Sequence, residues 1–254
     1  LAAGLATITL PAAVRRWRSA ARLAAGHTVT EAGCAIGLDP GTGKLVGFSW
    51  ADAERGVLLA GIDFNGLVPV AAAVTGAALR RCKTVLVLDL AGRGEARAVL
   101  TSLAAELGVP VQEVVPEDGA LAGADSALAA AVGRAIRTRS AILTAGTGSG
   151  APLISDVADV LAQLRELGLH ADCLLWVSAC EAADPSQLAD LLDLGAATGT
   201  VVLASTTSVA WAKAMAAHVG LTVECGRADE FTMTGSDGVR AGRMVPALAL
   251  TFAQ

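Results

Sequence analysis

Gly56-Val-Leu-Leu-Ala60 runs straight into Gly61-Ile-Asp-Phe-Asn-Gly66-Leu67-Val68. The first five residues read as a buried strand, a short apolar run bounded by glycine. A glycine-spaced loop and a helical pattern follow. Strand, loop and helix in that order make a phosphate-cradling turn when the loop reads Gly-x-x-x-x-Gly-Lys-Ser/Thr. Gly61 and Gly66 hold the two glycine places, with Asn65 just before the second. Leu67 stands in the lysine place and Val68 in the hydroxyl place. The lysine meets the terminal phosphates and the hydroxyl holds Mg²⁺, so the two groups that favour a triphosphate are missing. Asp63 adds a negative charge where phosphate would lie.

Downstream, four more apolar runs read as buried strands: Thr84-Val-Leu-Val-Leu-Asp89, Ser140-Ala-Ile-Leu-Thr-Ala145, Asp172-Cys-Leu-Leu-Trp-Val-Ser178 and Thr200-Val-Val-Leu-Ala-Ser205. Helical faces lie between them. Ala96, Val99, Leu100, Leu103 and Leu107 share one face, as do Val157, Val160, Leu161, Leu164 and Leu167. Asp184-Pro185-Ser186-Gln187 carries helix-start signals. Ser208 suits a cap, and Gly220 a stop. The alternation predicts an α/β fold, a mostly parallel sheet with helices on both faces in three α/β/α layers. Upstream, Asp39-Pro-Gly-Thr-Gly43 predicts a hairpin turn into the strand Lys44-Leu-Val-Gly-Phe-Ser-Trp50. At the other end, strands at 221–225, 230–234 and 239–246, with Gly235-Ser-Asp-Gly238 between the last two, predict a C-terminal β-hairpin.

Ligands of such sheets bind at the carboxyl ends of strands. A second glycine-rich loop follows residue 145: Gly146, Gly148, Ser149 and Gly150, with Ala151 and Pro152 in the lysine and hydroxyl places. Its amides at a helix start suit an anion. A third place follows Leu174-Leu-Trp-Val177. A Walker B strand there would end in Asp-Glu for the metal and the attacking water. Ser178 and Ala179 stand instead, with Glu181 two residues beyond.

The chain has 254 residues, 54% hydrophobic, 17% charged and 3% aromatic, with a formal net charge of −5. This length buries a large core, and the balance excludes a disordered chain. It also argues against nucleic acid as a partner: there is no Tyr, four Trp and four Phe supply few stacking rings, and basic residues cluster only at Arg80-Arg81-Lys83 and the N-terminus. Mean hydropathy is +0.57. The most apolar terminal stretch, residues 1–14, is interrupted by Pro11 and followed by Arg15, Arg16, Arg18 and Arg22. It is shorter than a full membrane span of about 20 residues. We divide the chain into a basic juxtamembrane arm over 1–30 and one domain over 31–254. The arm reads as the end of a membrane anchor whose upstream part lies beyond Leu1, with the arginines on the cytoplasmic side. The five cysteines (34, 82, 173, 180, 225) and three histidines form no metal-ligand spacing, so neither a metal site nor a disulfide framework is expected. Cys180 lacks an elbow motif and reads as a buried structural thiol.

Four pieces together carry a resemblance: Gly56-Val-Leu-Leu-Ala-Gly61 with its loop; Lys83-Thr-Val-Leu-Val-Leu-Asp-Leu90; Leu174-Leu-Trp-Val-Ser-Ala-Cys-Glu-Ala-Ala-Asp-Pro185; and Gly195-Ala-Ala-Thr-Gly-Thr-Val-Val-Leu-Ala-Ser-Thr-Thr207. They resemble the P-loop, second, Walker B and sensor strands of RecA-like motor domains. The similarity is to the conjugation coupling-protein and DNA-translocase (FtsK-like) family in its actinobacterial membrane-anchored form. Glu224-Cys-Gly-Arg-Ala-Asp-Glu-Phe-Thr-Met233 with residues 240–246 resembles that family's closing β-hairpin. Thr206-Thr207 falls on the sensor position, often Thr-Gln in the family, and residues 115–140 are short for its helical insertion. The resemblance implies a RecA-like fold in a membrane complex, with protein partners or further copies of itself.

The replaced residues imply the loss of hydrolysis, since each missing group is worth orders of magnitude in phosphoryl transfer. The leading expectation is therefore a pseudo-ATPase with no cofactor, ATP-Mg²⁺ being possible but not expected. One alternative is a nucleotide-binding domain or a motor completed by a partner's residues. Another is a Rossmann-type dinucleotide or methyl-donor enzyme, with Gly61 and Gly66 at the turn and Asp89 as the ribose acid, though Asp89 lies beyond the usual spacing of about 20 residues.

Overall fold

The computed structural model describes residues 33–81, 83–92, 94–114, 127–138, 141–145, 150–226 and 230–244. In chain order the strands are β1 (Gly33–Leu38), β2 (Leu45–Ser49), β3 (Val57–Gly61), β4 (Thr84–Asp89), β5 (Val111–Val114), β6 (Ala141–Ala145), β7 (Cys173–Ser178), β8 (Val201–Thr206), β9 (Leu221–Cys225), β10 (Glu230–Gly235) and β11 (Gly238–Arg243). The helices are α1 (Phe64–Arg80), α2 (Glu95–Leu107), α3 (Ala127–Thr138), α4 (Gly150–Glu166), α5 (Pro185–Thr198) and α6 (Val209–Met215), with a 3₁₀ turn at Cys180–Ala182.

All the described strands join one sheet in the order β2-β1-β11-β10-β9-β3-β8-β7-β4-β6-β5. From β9 to β5 every neighbouring pair is parallel, while β2, β1, β11, β10 and β9 pair antiparallel. The fold is mixed α/β with a mostly parallel sheet, as the alternation predicts.

The continuous apolar strands follow from burial on both faces. Side chains alternate across a strand, and they feed two separate apolar clusters. Val57, Leu59, Val85, Val87, Leu174 and Trp176 enter one, beside α1 and α2 residues such as Val74 and Leu103. Their neighbours Leu58, Leu86, Leu88, Leu175 and Val177 enter the other, beside Leu161, Leu188 and Trp211 of α4, α5 and α6. Each such burial is worth about 1.5–3 kcal/mol. Helix ends follow local chemistry. Asp184 caps α5 by accepting from Ser186 N at 2.8 Å, Pro185 takes the first turn, and Gly199 closes the helix at φ +70°.

Two elements escape the sequence reading. The strand β5 carries Gln112 and Glu113 and has no apolar run. The helix α3 lies within the stretch 115–140. The hairpin expected around Asp39 is present as the antiparallel pair β1–β2. Among the described residues no helix is long and apolar enough to cross a membrane. The arm over 1–30, Cys82, and Gly146, Gly148 and Ser149 lie outside the described residues.

Candidate functional site

The sheet sets three strand ends side by side, with β8 between β3 and β7. Ala60 is in register with Thr206, and Ser178 with Ser205. Gly61, Ser178 and Thr206, distant in sequence, therefore end neighbouring strands.

At the first end only Ile62 and Asp63 separate β3 from α1. The pattern predicts a glycine-spaced loop over 61–68 with a helix after it. The structure corrects this: Asn65, Gly66, Leu67 and Val68 already belong to α1. Asp63 causes the early start. Its backbone is extended, and its Oδ1 accepts the Gly66 N–H at 2.9 Å. Amides at a helix start are anion donors, and here the chain's own carboxylate engages one of them. Leu67 is drawn inward: it is 1% exposed, and a Cβ on Gly61 would lie 2.8 Å from its Cδ2. Val68 packs partly buried on the same cluster. Pro69 lies inside the helix and cannot donate to the Asn65 carbonyl.

At the second end Ser178 is buried, and its carbonyl accepts from Leu90 N at 3.1 Å. Ala179 adopts left-handed φ 58°, ψ 49°. For alanine that conformation costs roughly 1–3 kcal/mol, and it turns the chain sharply into Cys180–Ala182. The Cys180 thiol donates to the Val177 carbonyl at 3.1 Å. Burial pushes its pKa far above the ordinary thiol value, so it supplies no thiolate nucleophile.

The third end meets the second through Glu181. Thr206 Oγ1 donates to Glu181 Oε2 at 2.7 Å, and Thr207 Oγ1 donates to Oε1 at 3.0 Å. Thr206 Oγ1 also accepts from Ser208 N at 3.0 Å. Partial burial pushes the Glu181 carboxyl up, but hydrogen bonds led by Thr206 outweigh it and hold the pKa below the ordinary value. Sequence reasoning named all three residues but not their contact, which joins positions 25 and 26 apart.

Gly150, from the second glycine-rich loop, is the first residue of α4. Asp89 is buried, and its Oδ2 accepts from Gly94 N at 2.8 Å. It ends β4, three strands from β3 and thus roughly 14 Å across the sheet. The ribose-acid role would need it beside Gly61. Among the described residues no group of His, Cys, Asp or Glu has the arrangement of a metal site. Beside Gly61 opens a cleft of about 420 Å³ between Ile62, α6 and the face of β9 and β10. Sequence periodicity gave no sign of it.

No family model and no curated protein sequence matches the chain. Solved structures do match in shape. The cytoplasmic domain of the Thermomonospora curvata type VII secretion ATPase EccC superposes with a TM-score of 0.53 at 11% identity, covering 84% of this chain and 26% of that one. The cytoplasmic domain of EssC superposes with a TM-score of 0.50 at 12% identity, covering 85% of this chain and 43% of that one. The chain therefore shares its mixed α/β fold with the cytoplasmic domains of these secretion proteins. The chain spans about a quarter of one neighbour and less than half of the other.

Proposed function

We propose that this chain is a pseudo-ATPase, a RecA-like domain of a secretion- or conjugation-type membrane complex that serves assembly or regulation and does not hydrolyse nucleotide. One observation carries the reading. Where a motor ATPase keeps a mobile lysine and free amides, Leu67 is packed into the core and the Asp63 carboxylate engages the Gly66 amide. A triphosphate there would meet a carboxylate and find no lysine or hydroxyl for its phosphates and Mg²⁺. The Walker B place holds Ser178 and Ala179, and the remaining acid, Glu181, is engaged by two threonines.

The likeness to secretion ATPase domains supports the secretion context. The two apolar clusters support a three-layer arrangement, and the antiparallel β10–β11 pair supports the closing hairpin of coupling proteins and DNA translocases. In this reading the domain is cytoplasmic, held at the membrane on the side of its basic N-terminal arm, and works with protein partners or its own copies. Nucleic acid is not its partner.

A thermal-shift titration with ATP-Mg²⁺ tests the central claim. A ligand at about 100 times its Kd stabilises a protein by about 2.7 kcal/mol. We expect no shift at millimolar nucleotide. A saturable rise in Tm would overturn the reading and favour a nucleotide-binding or partner-completed domain.

A further inference from the structure

A second, smaller cavity of about 210 Å³ lies at the starting ends of the parallel strands. It opens where β4 and β8 begin, between the turn after β2 and the closing end of α5. From there β8 runs six residues to Thr206, roughly 16 Å. The cavity is therefore separate from the site around Gly61, Ser178 and Glu181. A water's share of liquid volume is about 30 Å³, so the room suits a molecule the size of about seven waters.

This cavity has a positive pole. Lys83 lines it and is 8% exposed. Among the described residues the side-chain hydrogen-bond partner of Lys83 Nζ is Asp172, whose own side chain is 72% exposed. An ammonium donates more than one hydrogen bond, so this buried cation keeps donors that no protein acceptor takes. Such donors cost free energy unless a ligand or water completes them. Trp50 stands beside it, with Lys83 Nζ 5.8 Å from the ring centre. The Trp50 indole N–H is buried and has no acceptor among the described residues. Thr200, also buried, accepts at Oγ1 from Thr198 Oγ1 at 3.3 Å, and its own proton goes to no described residue.

The cavity also has a negative pole. Glu54 lines it, is exposed, and joins no ion pair among the described residues. Gly199, the C-cap of α5, lines it too, and a helix C-terminus carries partial negative charge. We propose that this cavity binds a small zwitterion, a free amino acid, with its carboxylate on Lys83 and its ammonium toward Glu54. A plain anion would answer Lys83 but meet Glu54, and a plain cation would do the reverse. A molecule carrying both charges answers both poles. Trp50 and Thr200 supply further donors for its carboxylate.

Isothermal titration calorimetry on the 254-residue chain, without nucleotide, tests this independently of the pseudo-ATPase reading. The probes are glycine, L-alanine and L-serine, with propionate and ethylamine, which each carry one of alanine's charges. At least one amino acid is expected to bind saturably. Propionate and ethylamine are each expected to bind at least about tenfold more weakly than it does. Glu54→Gln, at an exposed position, and Lys83→Met should each weaken amino-acid binding by about tenfold or more. Trp50→Phe keeps a ring and removes the N–H, and should weaken it several-fold. Circular dichroism establishes that each variant is folded. If Lys83→Met is not, Glu54→Gln and Trp50→Phe carry the test. No saturable heat with any of the three amino acids would overturn the proposal. So would propionate binding as tightly as the best amino acid, or binding that the folded variants leave unchanged.

Discussion

Gly61 lacks a Cβ where Leu67 presses closest. An added methyl would lie 2.8 Å from Leu67 Cδ2, with the Asp63 carbonyl at 3.3 Å behind it. Gly61→Ala is therefore expected to cost about 1–3 kcal/mol through overpacking. Leu67→Ala, which empties a buried site, should cost about 2–5 kcal/mol. The two are not independent. In the double variant the new methyl occupies space that Leu67 has vacated, so its cost should fall well below the sum of the singles. Urea unfolding of the four proteins in the cycle reads the coupling. Strict additivity would mean that Leu67 does not pack on Gly61. Glu181 gives a second test at this scale. Its folded-state pKa is held below the unfolded one, chiefly because the Thr206 and Thr207 hydrogen bonds outweigh burial. Its contribution is therefore complete above the unfolded pKa, near 4.3, and is lost as pH falls through the folded value. Glu181→Gln should lower the urea midpoint at pH 7 and flatten its decline below about pH 5. An acid limb unchanged from wild type would show that Glu181 is not the group lost there.

Among the elements, α6 depends on its cap more than the longer helices do. It has seven residues, too few for a stable helix without support. Ser208 Oγ accepts from Trp211 N at 3.3 Å, while Ser208 N donates to Thr206. Ser208→Ala is expected to cost about 0.5–2 kcal/mol in a thermal or urea melt, and Ser208→Asp to stay close to wild type. Equal losses in both would place the effect elsewhere. Ser208 was legible as a cap because a serine before an apolar helical run is a local signal. The bounds of β4 and β9 were legible for the same reason. β4 is an apolar run that ends in Asp89, and β9 alternates apolar and polar residues between Gly220 and Gly226. The start of α1 was misread because the glycine pattern pointed to a loop, while Asp63 could equally cap a helix. Sequence spacing alone does not decide between the two. Only the inward packing of Leu67, a tertiary fact, does. The contact of Glu181 with Thr206 and Thr207 was hidden in a related way. It depends on the positive φ at Ala179, which nothing in an alanine announces.

At the scale of the whole molecule, one sheet separates two cores, and the strands belong to both. On β7, Leu174 and Trp176 enter one cluster while Leu175 and Val177 enter the other. Neither core can open without exposing the back of a strand the other needs. A chain built this way should unfold as one unit, although two cores could be mistaken for two folding domains. Trp176 reports on the first cluster and Trp211 on the second. Each also spends its indole N–H within its own side of the structure, Trp176 on Ser205 Oγ at 3.1 Å and Trp211 on the Ala183 carbonyl at 3.3 Å. Two variants are needed, each retaining one of these tryptophans, with Phe at the other and at Trp17 and Trp50. The substitutions shift absolute stability, so the comparison is made within each variant, between its fluorescence transition and its backbone circular dichroism transition. Both pairs of urea curves are expected to coincide, as a two-state transition requires. If Trp211 fluorescence changed at lower urea than the backbone signal, the α4–α6 side would be a separate unit. The shared strands would then not couple the two cores.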